Sequence, residues 1–283
     1  MATVVAWRDL TLSTDTGHKI EKVEGWESRP PTRYDKQQRA RGHGAHPSPV
    51  YADERIVTVT GSAHSADDRD QLVADLQDGM WLAEEEQDEE PLTITLAGRT
   101  LTAGAQLLSC DPVVATGSYN VGLLRWVARW RCPDPLRYGP ETASDVTGLP
   151  TPGTGLAWPL FADGTLDWGQ LGDPGQIVLD NPGTAPAPIA FAVTGPLPGG
   201  FEISSGGQRL TYPTPVPAGQ VISIDTDTGI VLAEGTADRR GELTYADWLT
   251  IPRRSALTVQ FTALSTDYSP AAQLDATWRP AYW

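Results

Sequence analysis

Residues 124–138 read Leu-Arg-Trp-Val-Ala-Arg-Trp-Arg-Cys-Pro-Asp-Pro-Leu-Arg-Tyr, and this stretch decides the fold. Its first half alternates as a β-strand does, because Trp126, Ala128 and Trp130 fall on one face of the strand. The opposite face carries three arginines, at 125, 129 and 131, and such a face cannot be core. The prolines that follow remove backbone donors and must end the strand. We therefore predict a strand with a buried aromatic side and an arginine-bearing side that meets water or a charged partner.

The chain changes in composition after this strand. Its length of 283 residues suggests two domains. Fifteen of the 21 basic residues lie in residues 1–145, whereas residues 146–283 are poor in charge and rich in Thr, Gly and Pro. We therefore predict a domain boundary after Asp145.

Short β-rich runs separated by Gly and Pro turns indicate a mainly β protein. The first half contains the one convincing helix, from the N-cap Ser65 to Gly79, and a hairpin made from 106–114 and 123–132. Regularly spaced strands without a helix predict an antiparallel β-sandwich for the second half. The predicted strands outside the hairpin are 55–60, 91–96, 176–179, 189–194, 219–224, 229–232 and 257–261.

Charge and hydropathy exclude several classes of protein. The formal net charge of −15 repels polyphosphate and argues against a dedicated nucleic-acid binder. The first residues lack the pattern of a signal peptide, and no apolar run is long enough to span a bilayer. Two cysteines are too few for a secreted disulfide framework. We expect a protein made in the cytosol that does not insert into membranes.

A basic segment interrupts the first half at residues 29–49. It holds five basic residues against one acid and has almost no apolar side chains. Such a composition cannot build a core, so we predict a long, mobile loop. Because the rest of the chain is acidic, we expect this loop to become ordered against a neighbouring copy.

The sequence contains none of the common catalytic or phosphate-binding motifs. His43, His46 and His64 are weak zinc candidates, since no cysteine or orienting carboxylate accompanies them. Residues 225–229 begin like a calcium loop but suit a hairpin turn better, and the acidic run 84–90 is typical of a solvated loop. Trp158 and Trp168 either pack beneath a loop or stack on a sugar, and packing is favoured. We predict no catalytic, cofactor or metal site.

Four parts of the chain carry a resemblance to a known family. They are 55–61 with the helix that follows, 126–139 with its Asp-Pro-x-x-Tyr seam, 180–195 with its Asn-x-Gly opening, and 218–231 with 248–252. Together, and in this order along nearly the whole chain, they resemble the distal tail proteins of long-tailed bacteriophages. Where that family usually has a Pro-Gly turn after Pro252, this chain has Arg253-Arg254, which leaves the turn there open.

The resemblance implies an N-terminal β-sandwich that forms a ring of six copies and a C-terminal galectin-like β-sandwich. It also implies a virion protein of the tail tip, assembled in the host cytoplasm, with no shared catalytic residues. The implied partners are the tail tube protein, the tape measure protein, the tail-associated or baseplate hub protein and receptor-binding proteins, while DNA passes without being bound.

The basic residues of segment 29–49 and the three arginines of the strand at 124–132 are the candidate subunit-interface residues. They are Arg29, Arg33, Lys36, Arg39, Arg41, Arg125, Arg129 and Arg131. The residues leave two other functions open, a carbohydrate-binding module and a glycan hydrolase.

Overall fold

The computed structural model of the chain contains two compact units, Met1–Pro140 with Trp283 and Glu141–Tyr282. The structure describes residues 3–63, 66–80, 89–113, 117, 122–155, 171–266 and 269–283. The division falls before the boundary that we predicted after Asp145, because Asp145 lies inside a strand of the second unit. That strand, Ala143–Gly148, pairs along its full length with Gln273–Trp278.

The first unit is built mainly from antiparallel strands. They are β1 (Val4–Trp7), β2 (Leu10–Leu12), β3 (Lys19–Glu24), β4 (Thr32–Tyr34), β5 (Val50–Ala52), β6 (Arg55–Ala63), β7 (Glu90–Leu96), β8 (Arg99–Val113), β9 (Leu124–Cys132) and β10 (Arg137–Tyr138). The main sheet has the order β2-β1-β7-β8-β9-β6-β3, and β4 and β5 form a separate two-stranded ribbon. The predicted strands at 55–60 and 91–96 and the predicted hairpin are confirmed.

The long strand β8 holds the two halves of this sheet together. Its first half pairs with β7 and its second half with β9, with an irregularity in register between Leu107 and Ser109. Trp7 on β1 and Trp130 on β9 are both fully buried, with ring centroids 6.0 Å apart. The aromatic face predicted for β9 therefore lies in the core of the first unit.

The α-helix α1 spans Ala66–Gly79, as predicted. Leu76 is buried, and Val73 packs against the buried pair Ala63 and Leu124. The predicted N-cap Ser65 lies outside the described residues. In the described part of the chain, no helix is long and apolar enough to cross a membrane.

The second unit has two larger antiparallel sheets, which confirms the predicted mainly β fold. Its strands are β11 (Ala143–Gly148), β12 (Gln176–Asn181), β13 (Ala187–Thr194), β14 (Phe201–Ser205), β15 (Gln208–Tyr212), β16 (Val221–Asp225), β17 (Ile230–Ala233), β18 (Ala237–Asp238), β19 (Tyr245–Ala246), β20 (Thr250–Ile251), β21 (Ser255–Ala263), β22 (Gln273–Trp278) and β23 (Ala281–Tyr282). One sheet has the order β11-β22-β13-β16-β17-β18 and the other β12-β21-β14-β15-β19. Buried positions alternate with exposed ones along β12 and mainly with half-buried ones along β13, as expected of sandwich strands.

Candidate functional site

The arginine face of β9 is solvent-exposed, as the sequence predicts. Arg125, Arg129 and Arg131 are exposed, while Trp126, Ala128 and Trp130 are fully buried on the opposite face. The same outward face continues onto β6, because Arg129 pairs with Thr58. The alternation of a strand thus produces a flat, polar and basic surface on the first unit.

One of the three arginines is already neutralised within its own chain. The Nε atom of Arg131 donates a hydrogen bond of 2.6 Å to a carboxylate oxygen of Glu54. Arg125 and Arg129 make no ion pair with any described residue. Within the described part of the chain, Arg125 and Arg129 are therefore the two arginines of this face that no carboxylate neutralises.

The basic segment 29–49 has regular structure that the sequence analysis did not predict. Thr32, Arg33 and Tyr34 of β4 pair with Ala52, Tyr51 and Val50 of β5, and Gln38 forms a bridge with Ala45. Short paired strands therefore enclose a stretch, residues 35–49, that is irregular apart from this bridge, and we call residues 29–52 the ribbon. The sequence did not predict these short strands because their pairing does not need the apolar alternation of a core strand.

The ribbon carries the other five candidate interface residues and a feature that the sequence analysis missed. Its basic side chains are exposed and unpaired among the described residues; they are Arg29, Arg33, Lys36, Arg39 and Arg41. Tyr34, Val50 and Tyr51 are also exposed, at 57%, 57% and 60%. Arg33, Tyr34 and Tyr51 help to line a concave surface of about 400 Å³. Exposed tyrosines beside unpaired arginines are typical of protein interfaces.

Two buried arginines at the base of the ribbon were also missed. Arg55 is 1% exposed and Arg137 is 2% exposed. Burial, together with repulsion from Arg137, lowers the pKa of Arg55 to about 10, so that Arg55 stays charged at neutral pH. The one signal in the sequence was the position of Arg55 at the start of a predicted strand rich in β-branched residues.

The Asp-Pro-x-x-Tyr seam is a compact hydrogen-bonded turn. One carboxylate oxygen of Asp134 accepts the backbone N–H of Leu136 at 2.9 Å, and the other accepts the hydroxyl of Tyr138 at 2.7 Å. Because this turn fixes both flanking residues, it orients Arg137 towards the interior of the first unit. The motif on which the resemblance rests therefore has a structural role.

A buried histidine lies near the helix. His18 is 1% exposed and stands edge-on to Trp126, with ring centroids 5.8 Å apart. Burial lowers the pKa of His18 to about 4, although the negative charge of Asp75 opposes this shift. His18 is therefore neutral at physiological pH, and with Asp75 and Asp78 it lines a concave surface of about 520 Å³.

The described residues hold no cluster of His, Cys, Asp or Glu that fits a metal ion. His64 lies outside the described residues, as do Trp158, Trp168 and most of the acidic run 84–90. Residues 225–229 form the predicted turn, in which Asp225 accepts hydrogen bonds from the Asp227 amide and the Thr228 hydroxyl. Burial raises the pKa of Cys110 to about 11 and that of Cys132 to about 12, so both are unreactive thiols at neutral pH.

The second unit has a polar concave surface of about 760 Å³ on the sheet that contains β14 and β15. Glu202, Arg209, Asp247 and Gln260 are among its lining residues. The guanidinium of Arg209 lies 3.4 Å from the ring centroid of Tyr245 and covers one face of that ring. The surface therefore offers both carboxylates and a guanidinium for hydrogen bonding, but Arg209 already covers one face of its aromatic ring, Tyr245.

The fold is similar to that of a solved phage protein. It matches the crystal structure of the Dit protein of phage SPP1, described as a paradigm of the hub adsorption apparatus in phages that infect Gram-positive bacteria. The match covers 100% of both chains, with a TM-score of 0.65 and 11% sequence identity. The resemblance to distal tail proteins is confirmed at the level of the fold.

Two structures of the phage P2 baseplate in its activated conformation, one with Ca and one with Sr, are also similar. They cover 99% and 98% of this chain and 97% of each matched chain, at 11% and 12% identity, with TM-scores of 0.45 and 0.44. No protein-family model and no curated protein matches the sequence.

Proposed function

We propose that the chain is a structural, non-enzymatic protein of a phage tail tip, a distal tail protein that forms a hexameric ring. The observation that carries this proposal is the match along the whole chain to the fold of a phage hub protein. The first unit forms the ring, and the second unit is a galectin-like sandwich. The ring joins the tail tube and tape measure proteins to the baseplate hub and receptor-binding proteins in the virion, after assembly in the host cytoplasm.

Charge complementarity supports the ring. A closed ring needs two different patches on each copy that fit one another. The ribbon and the arginine face of β9 are exposed and basic on a chain whose net charge is −15, so an identical copy offers ample acidic surface. Of the three arginines on β9, Arg131 contributes least to the contact between copies, because Glu54 already neutralises it.

The net negative charge of the chain also suits passage of DNA through the ring. Acidic walls leave the polyanion hydrated and unbound, with repulsion limited to roughly 8–10 Å by salt. Arg125 and Arg129 would grip phosphates if they lined the channel, so we place them against acidic side chains of the neighbouring copy.

Light scattering and electron microscopy of the purified chain test the ring. We expect a sixfold assembly at high protein concentration, and a chain that stays monomeric at every concentration contradicts the proposal. The double variant R39E/R41E should raise the concentration for half-assembly at least tenfold. Its matched control is R253E/R254E, which makes the same charge change on an exposed arginine pair of the second unit. Equal effects of both variants would show that net charge, and not the ribbon, controls assembly.

Fluorescence anisotropy with duplex DNA tests the placement of the arginine face. We expect no binding at physiological salt for the wild type or for R125A/R129A. Micromolar binding by the wild type that is lost in R125A/R129A would place these arginines on DNA.

A second candidate function is carbohydrate binding by the second unit. The polar concave surface favours it, since the carboxylates of Glu202 and Asp247 can each accept bonds from sugar hydroxyls beside the one bond they accept from Thr211 and from the Arg209 amide. A glycan array compares the wild type with E202Q/D247N. Binding by the wild type that the variant loses supports this function, and an empty array leaves the surface without this role.

A further inference from the structure

The ribbon is a structure that needs support from the rest of the unit. A two-stranded ribbon is at best marginally stable in water, because neither face is covered by a third strand or a helix. Between β4 and β5 the paired core of this ribbon has three residue pairs. At its base, the Asp53 amide donates a 2.7 Å hydrogen bond to the Pro31 carbonyl and closes the hairpin. The contacts between this base and the sheet therefore determine whether the ribbon has a defined position.

Arg55 holds the chain that leads into the ribbon. Its Nη1 atom donates to the carbonyls of Gly25, Trp26 and Ser28 at 2.6, 3.0 and 2.7 Å. Its Nε atom donates to the carbonyl of Pro135 at 3.0 Å, which ties the same side chain to the Asp134–Tyr138 turn. One buried guanidinium thus collects four carbonyls from two irregular segments, which no neutral side chain has enough donors to do.

Gly25 shows how closely this segment lies against β6. Its φ of +79° is in the left-handed region, and a Cβ added there would lie 1.8 Å from the carbonyl oxygen of Ile56. Only glycine fits such an approach. The lead-in to the ribbon is therefore packed directly on the strand that carries Arg55.

Arg137 holds the same segment from a second side. Its Nη1 atom donates to a carboxylate oxygen of Glu27 at 2.8 Å, and its guanidinium lies 5.5 Å from the ring centroid of the buried Trp26. Its Nη2 atom donates to the backbone oxygen of Trp283. Residues 25–28 are thus gripped by two cations, one through the backbone and one through side chains.

We propose that Arg55 and Arg137 are positioning residues that hold the ribbon as a preformed docking arm for a second copy of this chain. The proposal rests on the proposed ring. Because β4 and β5 are already paired in the single chain, docking of the arm costs less conformational entropy than the folding of an unpaired loop would. Tyr34 and Tyr51 supply rigid contact area on the arm, and its unpaired basic side chains meet the acidic surface of the next copy.

The variant E27Q tests this inference, because it removes the half-exposed ion-pair partner of Arg137 and leaves both buried arginines in the chain. We expect amide hydrogen exchange in residues 25–34 and 50–54 of the dilute, monomeric protein to rise about tenfold. The concentration for half-assembly should rise about tenfold as well. The matched control is E24Q, which removes an exposed carboxylate that pairs with Lys22 and leaves the base of the ribbon intact. A second variant, R137K, keeps the charge but removes the planar fork, and should act in the same direction as E27Q.

The outcomes separate the two proposals. If the wild type assembles into rings and E27Q and R137K leave both exchange and assembly at wild-type values, the positioning role is overturned and the ring stands. If exchange rises in the ribbon but assembly is unchanged, the ribbon is held by the arginines but is not the docking arm, and the inference fails. If the wild type never assembles, the ring and the docking arm both fall.

Discussion

The two units solve the same problem with different chemistry. Each contains an irregular segment that needs a buried polar side chain to collect its carbonyls. In the first unit, the cations Arg55 and Arg137 hold residues 25–28. In the second unit, the neutral Asn181 holds the turn at 183–185 and the chain at 251–252. The difference follows from what each anchored segment leads to. In the first unit the segment leads into the ribbon, whereas in the second unit the turn lies at the end of paired strands.

This contrast implies different sensitivities. Removing one partner from a buried charged network leaves unpaired groups and costs more than removing a neutral one. All four histidines also precede residue 65, so a neutral buried histidine belongs to the first unit alone. We therefore expect the first unit to be more sensitive to loss of a buried side chain and to acid.

The largest effect should follow from R55M. This substitution fills similar space but leaves four carbonyls without their donor, and should destabilise the first unit by about 3–5 kcal/mol. Native-state hydrogen exchange measures this in the amides of β6, with those of β13 in the second unit as the internal reference. A loss below about 1 kcal/mol would mean that water replaces the guanidinium, and the contrast between the units would not hold.

Acid should act next. In the unfolded chain His18 has a pKa near 6.5, and in the folded first unit its pKa is about 4. The unfolded state thus binds a proton first, so stability is full above pH 6.5, falls by about 3 kcal/mol as the pH drops to 4, and then levels off for this group. Unfolding of the wild type and of H18Q across this range checks it. The H18Q variant has no histidine to protonate, so its free energy of unfolding should fall less between pH 6.5 and 4. Parallel pH profiles for both proteins would show that His18 does not cause the loss of stability.

The sequence predicts regular strands well and irregular segments poorly. The period-two alternation of Trp126, Ala128 and Trp130 suffices to place β9, because burial of one face determines the side on which each residue lies. The ribbon has no such alternation, and its strands depend on the anchor at Arg55, which is distant in sequence from Pro135. The position of Arg55 at the start of a β-branched strand is consistent with burial, but the sequence does not show which carbonyls would surround its guanidinium.

Asn181 should have an intermediate effect in the second unit. Its Nδ2 atom donates to the carbonyls of Ala185 and Ile251 at 2.8 and 3.2 Å, and its Oδ1 atom accepts the amide of Gly183 at 2.9 Å. N181A should therefore cost about 2 kcal/mol, since these groups are buried and lose their partners. Exchange of β13 amides measures the loss, and β6 amides should stay unchanged. An equal loss in both units would mean that the units unfold together.

The smallest effect concerns the turn that the sequence left open. Residues 253–254 do form a turn without the Pro-Gly pair, and Arg254 adopts a φ of +50°, which strains a residue that has a Cβ. Its amide donates to the carbonyl of Gly183 at 3.0 Å, a bond that glycine keeps. R254G should therefore stabilise the second unit by about 1 kcal/mol. Its matched control is R253G, at the neighbouring exposed position, where φ is not positive. R253G should leave the stability unchanged or lower it slightly, because glycine adds conformational freedom to the unfolded chain. Thermal unfolding of both variants decides the matter, since a loss of stability in R254G would show that the arginine side chain contributes more than its backbone strain costs.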